Sequence, residues 1–147
     1  MLLKLEENKS YKELEVLIKY AAMNEDVERV IALIRAAEIK VKCKCDGQEK
    51  YLNASDIYYI ESVDKKTFVY GEEKVYQTDY RLHEIEDRLQ NAGFVRISKS
   101  CLLNIHILDS IRPLLNSRLE ATLQNGERVY VTRKYLRTIK EMLERMV

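Results

Sequence analysis

Residues 39–78 read IKVKCKCDGQEKYLNASDIYYIESVDKKTFVYGEEKVYQT and alternate repeatedly between apolar and polar side chains. Ile39, Val41 and Cys43 alternate with lysines, which predicts a strand with one lysine face. Residues 57–62 are rich in β-forming side chains. Turn-forming residues separate these runs at hairpin spacing, namely Asp46-Gly47, Asp64-Lys65-Lys66 and Gly71-Glu72-Glu73. The stretch therefore predicts a meander of short strands.

The second half of the chain adds helical spacing at two places. Residues 80–91 predict a helix that ends at Gly93. Strands are predicted at 94–97, 108–114, 118–123 and 128–132, with the hairpin signal Asn125-Gly126 between the last two. Residues 101–105 predict a short helical turn. A last helix, capped by Thr132, is predicted to bury the stripe Tyr135, Leu136, Ile139, Leu143 and Met146.

Residues 1–38 predict a strand followed by a helix. Residues 13–20 alternate, with Leu14, Val16 and Ile18 on one face. Asn24 and the acidic residues after it are typical of a helix start, and the apolar stripe ends near Ala37. The fold class is therefore α+β and mostly β, with residues 1–38 as a strand-helix extension and 39–147 as the main domain. The extension is either a packing unit or a surface for a homodimer or a partner, and both interpretations stay open.

The composition is that of one globular domain. Of the 147 residues, 46% are hydrophobic, which is enough to form a core. Lys4, Glu6 and Glu7 interrupt the beginning of the chain, so it has no signal peptide pattern, and no apolar run approaches the ~18 residues of a membrane span. We expect a soluble, cytoplasmic protein, and three cysteines agree with a reducing compartment.

Positive charge is concentrated in the second half of the chain. The net charge is +1, but residues 94–140 hold nine Lys/Arg against three Asp/Glu, a net of +6. A basic segment in a near-neutral chain is typical of a surface that faces phosphates. A solvated basic face explains the same charges equally well.

Catalytic and metal-binding patterns are absent. The chain has no glycine-rich phosphate loop, serine elbow or HExxH motif, and we interpret its histidines, His83 and His106, as surface or helix-packing residues. Cys43 and Cys45 share a strand face, but a thiolate metal site needs two more ligands, and buried apolar cysteines are the favoured interpretation. We expect no enzyme activity, no cofactor and no small-molecule substrate.

Three polar segments could bind nucleic acid. They are Asp64-Lys65-Lys66-Thr67, Arg96-Ile97-Ser98-Lys99-Ser100 and Thr132-Arg133-Lys134. Lysine and arginine neutralise phosphates and reach guanine in the major groove, and hydroxyl groups donate to phosphates or bases. Solvated turns and a capped helix are the alternative interpretation.

An ordered set of motifs resembles the LytTR DNA-binding domain. The motifs are, in order, residues 56–62, Asp64-Lys65-Lys66-Thr67, residues 94–104, Ile111-Arg112-Pro113, Asn125-Gly126 and Val131-Thr132-Arg133-Lys134-Tyr135. Counted from Ile39, the resemblance covers about two-thirds of the chain. It implies a sandwich of short antiparallel sheets.

The resemblance also implies that loops enter the major groove of double-stranded DNA and bend the duplex. The positions that match the family's contacts are Lys99, Arg133 and the turn Lys65-Lys66-Thr67. Arg96, Ser98, Ser100 and Lys134 are expected to contact neighbouring phosphates. The implied function is sequence-specific transcription regulation, and a protein-interaction module without specific DNA binding is the alternative.

Two features depart from the family pattern. Ser98-Lys99 stands where the family often has His-Arg or His-Asn, so the resemblance does not give the recognised DNA sequence or the contact geometry of this turn. Only about 38 residues precede the first matching strand, far fewer than the ~100 of a typical domain. A phosphoacceptor receiver domain is therefore not expected. The resemblance implies instead control by a partner, often a membrane protein.

Overall fold

The computed structural model describes residues 1–145, which form three α-helices and ten strands. The helices are α1 (Glu25–Glu38), α2 (Leu82–Arg88) and α3 (Leu136–Arg145). The strands are β1 (Lys40–Cys45), β2 (Gln48–Asn53), β3 (Tyr59–Val63), β4 (Lys66–Tyr70), β5 (Val75–Thr78), β6 (Phe94–Ser98), β7 (Cys101–Asn104), β8 (Leu108–Leu114), β9 (Arg118–Leu123) and β10 (Arg128–Val131). Short 3-10 turns at Ala54–Asp56, Ile105–Ile107 and Arg133–Tyr135 complete the fold.

The strands form two antiparallel sheets. The first has seven strands in the order β2-β1-β5-β4-β3-β7-β6, and the second has three in the order β10-β9-β8. The turns predicted from the sequence are present at the predicted residues. Asp46, Gly47, Asp64 and Lys65 all have positive φ values, as tight hairpin turns require, and so does Gly126. The mostly β, two-sheet fold predicted from the sequence is confirmed.

The seven-stranded sheet carries a core on each face, since neighbouring residues of a strand point to opposite sides, although β1 and β2 are largely exposed on one face. Tyr59 and Leu103 face the three-stranded sheet and join a core with Leu119, Ala121 and Val131. The other face packs against α1 and α2 through a second core, which contains Ala36, Val41, Ile60, Val69, Leu82, Ile85, Leu89 and Leu102. Each fully buried aliphatic side chain contributes about 1.5–3 kcal/mol to folding.

The predicted strand at residues 13–20 is wrong. The structure has no strand before β1, and Leu14 is 93% exposed. Alternation predicts a strand only where a neighbouring strand can accept its hydrogen bonds, and none lies beside this segment. The predicted helix does form, and the Asn24 side chain accepts a hydrogen bond from the Val27 N–H at 3.0 Å.

Two smaller predictions also need correction. Residues 101–104 form β7 in the interior of the sheet, and the helical turn comes only afterwards, at Ile105–Ile107. A short, fully buried apolar run has no periodicity that would separate a strand from a helix. Thr132 precedes the last helical segment, but its side chain makes no capping bond and donates to the Ile97 carbonyl instead. The predicted stripe on α3 packs into the core, except that Met146 lies outside the described residues.

Candidate nucleic-acid interface

Three polar turns lie side by side at one end of the sandwich. β3 and β7 are paired, so the β3–β4 turn and the β6–β7 turn are neighbours, and the Ser62 N–H donates to the Ser100 carbonyl at 2.8 Å. The segment after β10 joins the row because the Thr132 N–H donates to the Ile97 carbonyl at 2.9 Å. We call residues 64–66, 98–100 and 132–134 the turn edge. The three segments predicted to bind DNA are therefore brought together.

A bulge in the sheet makes this junction possible. The register of β6 and β7 shifts between Arg96 and Ser98, and Ile97 has no partner residue there. A bulge releases a backbone group from the ladder and bends the strand. The released Ile97 carbonyl accepts both the N–H and the hydroxyl of Thr132. The bulge thus attaches the β10 segment of one sheet to the end of the other.

The β3–β4 turn presents two lysines. Asp64 and Lys65 have φ values of 51° and 65°, which is the geometry of a tight hairpin turn. Lys65 and Lys66 are exposed. Thr67 is only 4% exposed and lies inside β4, between Ser62 and Thr78 in the register. The predicted DNA contact of Thr67 would therefore have to be made by a largely buried side chain.

The β6–β7 turn presents Lys99 between two serines. Lys99 is exposed, whereas Ser98 and Ser100 are half-buried. The Ser100 N–H donates to the Ser98 hydroxyl at 3.3 Å, which closes a local side-chain turn. Lys99 therefore lies at the tip of a turn in which the Ser100 N–H is already hydrogen-bonded within the turn.

Arg96 is bound within the protein. Its guanidinium donates to both carboxylate oxygens of Glu86, at 2.9 and 3.2 Å, and to the Lys99 carbonyl. The side chain is 21% exposed, and the hydrogen bond to Glu86 raises the pKa of Arg96. The structure places Arg96 beneath the turn as a support for Lys99, and its predicted phosphate contact would require this fork to open.

Arg133 and Lys134 begin the helical segment that leads into α3. Both are exposed in the 3-10 turn Arg133–Tyr135, and the Lys134 ammonium lies 5.7 Å from the centre of the Tyr135 ring. Within residues 1–145, none of the exposed cations of the turn edge takes part in an ion pair: Lys65, Lys66, Lys99, Arg133 and Lys134. Asp64 is the one carboxylate on the described edge. The edge is therefore positive and available to phosphates.

Sequence reasoning missed the partner of Arg96. Glu86 lies ten residues earlier, on α2, and no helical or strand spacing relates two residues in different elements. The bulge at Ile97 could not be predicted either, because its effect depends on Thr132, which lies 35 residues later in the chain. The exposed lysines and Arg133 were predictable because turn signals are local.

The cysteines and histidines do not form a reactive centre. The described residues include no cluster of three or more potential metal ligands. Cys43 is buried as predicted, whereas Cys45 is only half-buried. Burial raises the pKa of Cys43 to about 11 and that of Cys101 to about 12, so both thiols stay protonated at neutral pH. His83 is exposed. His106 is half-buried, and burial lowers its pKa.

Comparison with known proteins identifies the family. The family model of the LytTr DNA-binding domain matches residues 48–144. This chain belongs to the LytTR family of DNA-binding domains. The LytTr DNA-binding domain of a methyl-accepting/DNA response regulator from Bacillus cereus superposes with a TM-score of 0.68 at 30% identity, covering 72% of this chain and 97% of that one. The chain thus contains a DNA-binding domain of a regulator family.

Relatives of the LytTR chain carry regulatory names. The sensory transduction protein LytT of Enterococcus faecalis is 31% identical over 66% of this chain and 41% of its own length. An uncharacterized HTH-type transcriptional regulator of Staphylococcus aureus is 26% identical, with 82% of this chain and 83% of the relative aligned. The chain spans about half or less of the LytT proteins that it matches, from 37% to 54% of their length. Across residues 1–145, no helix is long and apolar enough to cross a membrane.

Proposed function

We propose that the chain is a sequence-specific transcription regulator that inserts its turn edge into the major groove of double-stranded DNA and bends the duplex. The observation that carries this proposal is the row of unpaired cations on turns held together by the Ser62–Ser100 and Thr132–Ile97 hydrogen bonds. Turns from separate parts of the chain present their side chains at separate points along a groove. Engaging several such points at once favours a curved duplex, whose bending energy depends on sequence.

The turns divide into groove and backbone contacts. Lys99, Arg133 and the Lys65-Lys66 pair are exposed and are proposed to reach base edges, where arginine and lysine bind guanine O6 and N7. Ser98, Ser100 and Lys134 are proposed to contact phosphates, which position the protein without reading sequence. Arg96 is proposed to hold Lys99 in place.

The first test is binding of the full chain to duplexes selected from a random pool, followed by fluorescence anisotropy at several salt concentrations. Arg133→Ala is expected to cost about 1–3 kcal/mol on the selected site and to relax specificity at one base pair. Lys134→Ala is expected to weaken all duplexes evenly and to reduce the salt slope by about one unit. Lys74→Ala is the matched control, because Lys74 is an exposed lysine in the β4–β5 turn at the opposite end of the sheet.

Wild-type affinity for Arg133→Ala would refute base reading by that residue. Equal, weak binding of the wild type to all duplexes would refute sequence-specific recognition. Bending is measured separately, as the change in end-to-end distance of a doubly labelled duplex when the protein binds. An unchanged end-to-end distance when the duplex is saturated with protein would refute bending and would leave DNA recognition alone.

A second role, protein interaction, is favoured by the N-terminal segment. Leu14, Leu17 and Tyr20 are large apolar side chains that are exposed there. We propose that this segment mediates a homodimer or binds a regulatory partner, such as a membrane protein, while the turn edge remains the DNA surface. A location in the cytoplasm follows from DNA as the partner and is part of the same proposal.

A further inference from the structure

A fourth turn lies at the same end of the molecule as the turn edge. In the three-stranded sheet, Val131 at the end of β10 pairs with Leu119, and Leu114 at the end of β8 pairs with Arg118. The turn between β8 and β9, residues 115–117, therefore follows the 132–134 segment in the row. The order across this end of the sandwich is the β3–β4 turn, the β6–β7 turn, the segment after β10 and the β8–β9 turn.

The fourth turn carries groups that suit a nucleic-acid backbone. Asn116 and Ser117 have φ values of 65° and 56°, so the hairpin closes tightly and both side chains, an amide and a hydroxyl, are exposed. Leu115 is 88% exposed at the tip. Arg118 begins β9 with its guanidinium 5.4 Å from the centre of the Tyr130 ring. Arginine, amide and hydroxyl donors are the side chains that contact phosphate and sugar.

Arg118 differs from the other arginines on the same sheet. Arg112 and Arg128 both approach the Glu120 carboxylate, at 3.1 and 3.8 Å, and Glu120 has a side chain only 9% exposed. Their charges are partly neutralised within the sheet. Arg118 makes no ion pair with any residue in the described 1–145 range, and its stacking on Tyr130 leaves its N–H groups available at the end of the sheet. The free positive charge of the sheet is thus at the end that faces the turn edge.

We propose that the β8–β9 turn is a fourth DNA contact, in which Arg118 binds a backbone phosphate on the flank of the site. This inference rests on the proposed DNA-binding function and extends the interface past the 132–134 segment. Asn116 and Ser117 donate to the same stretch of backbone, and Leu115 packs against the sugars. The turn reads no bases, because Arg118 lies at the base of the hairpin, behind its tip.

The test compares full-length Arg118→Gln, Arg118→Lys and Lys74→Gln with the wild type. Each protein is titrated by anisotropy with the selected duplex and with duplexes shortened one base pair at a time from either end. Arg118→Gln is expected to bind the full duplex about threefold to tenfold more weakly, with a salt slope reduced by about 0.9, the value for one lost phosphate contact. Arg118→Lys retains the charge and should keep the wild-type slope, and Lys74→Gln should match the wild type throughout.

Shortening the duplex identifies the flank. Of the two ends, only one should matter: removing base pairs from it should lower the affinity of the wild type to the level of Arg118→Gln. The affinity of Arg118→Gln itself should not change with the same shortening. An unchanged salt slope for Arg118→Gln would overturn the proposal, even if the melting temperature of this variant falls. That pair of results would mean that Arg118 only supports Tyr130 within the fold. Wild-type protein that selects no duplex would instead refute the DNA-binding function itself.

Discussion

Arg96 is proposed to influence DNA binding without touching the DNA. Its fork joins Glu86 on α2 to the Lys99 carbonyl, so the helix behind the sheet sets the position of the turn. Exposed ion pairs contribute about 0–1 kcal/mol to stability, so the pair matters more for the geometry of the turn than for folding.

Glu86→Gln provides a prediction at this scale. The variant keeps every cation of the turn edge but weakens the support of Arg96, so DNA affinity should fall about fivefold, or about 1 kcal/mol, with an unchanged salt slope. Anisotropy across salt concentrations measures both quantities. Two results together would show instead that Arg96 contacts a phosphate directly. Glu86→Gln would bind DNA with wild-type affinity, and Arg96→Gln would have a salt slope reduced by one unit.

Single residues differ in how far the sequence alone could place them. Lys65, Lys99 and Arg133 follow local turn signals, and all three are exposed in the structure. Thr67 was predicted to contact DNA because it follows the same turn, but one residue of strand is enough to turn a side chain inwards. The roles of Thr67 and Arg96 depend on neighbours that only the folded sheets bring together.

At the scale of elements, the turns and capped helices were predictable and the strand partners were not. Asp46-Gly47, Asn125-Gly126 and Asn24 act through their own neighbours in the chain. Residues 13–20 and 101–105 were assigned wrongly because a strand is defined by what lies beside it. The buried run became β7 between β3 and β6, whereas the alternating run before α1 has no neighbouring strand.

The segment before α1 is expected to associate with a second copy. Its exposed leucines gain about 25 cal/mol for each Å² of apolar surface that an interface removes from water. Sedimentation of the full chain should therefore show a dimer at micromolar concentration, and a chain that begins at Asn24 should sediment as a monomer. α1 remains in the shortened chain, so the core around Ala36 is preserved. Identical sedimentation of both chains would contradict this role.

At the scale of the whole molecule, three tyrosines hold the two sheets together. Tyr59 stacks on Tyr70 at 4.1 Å and donates to the Glu127 carboxylate at 2.8 Å, at the end opposite the turn edge. Burial is the main reason why the pKa values of Tyr58, Tyr59 and Tyr70 are raised. The folded protein therefore holds these phenolic protons more tightly than the unfolded chain does.

Alkaline pH should loosen the sandwich. The stabilisation is complete below pH ~10, the ordinary pKa of tyrosine, and declines above it as the unfolded chain loses its protons first. Urea titrations at pH 7 and pH 11 should show a lower free energy of unfolding at pH 11. Tyr59→Phe should cost about 1 kcal/mol at pH 7 through the lost hydrogen bond, and should show a smaller further loss at pH 11. An equal loss in both proteins would exclude Tyr59 as a source of the pH dependence.

The row of turns draws on segments that are far apart in the chain, from residue 64 to residue 134. During synthesis the β3–β4 turn leaves the ribosome well before the segment that carries Arg133. A chain that stops before β10 lacks both Arg133 and the Thr132 bonds that join the two sheets. A nascent chain that has not yet reached β10 is therefore expected to lack part of the proposed DNA surface, because that surface forms only when distant segments come together.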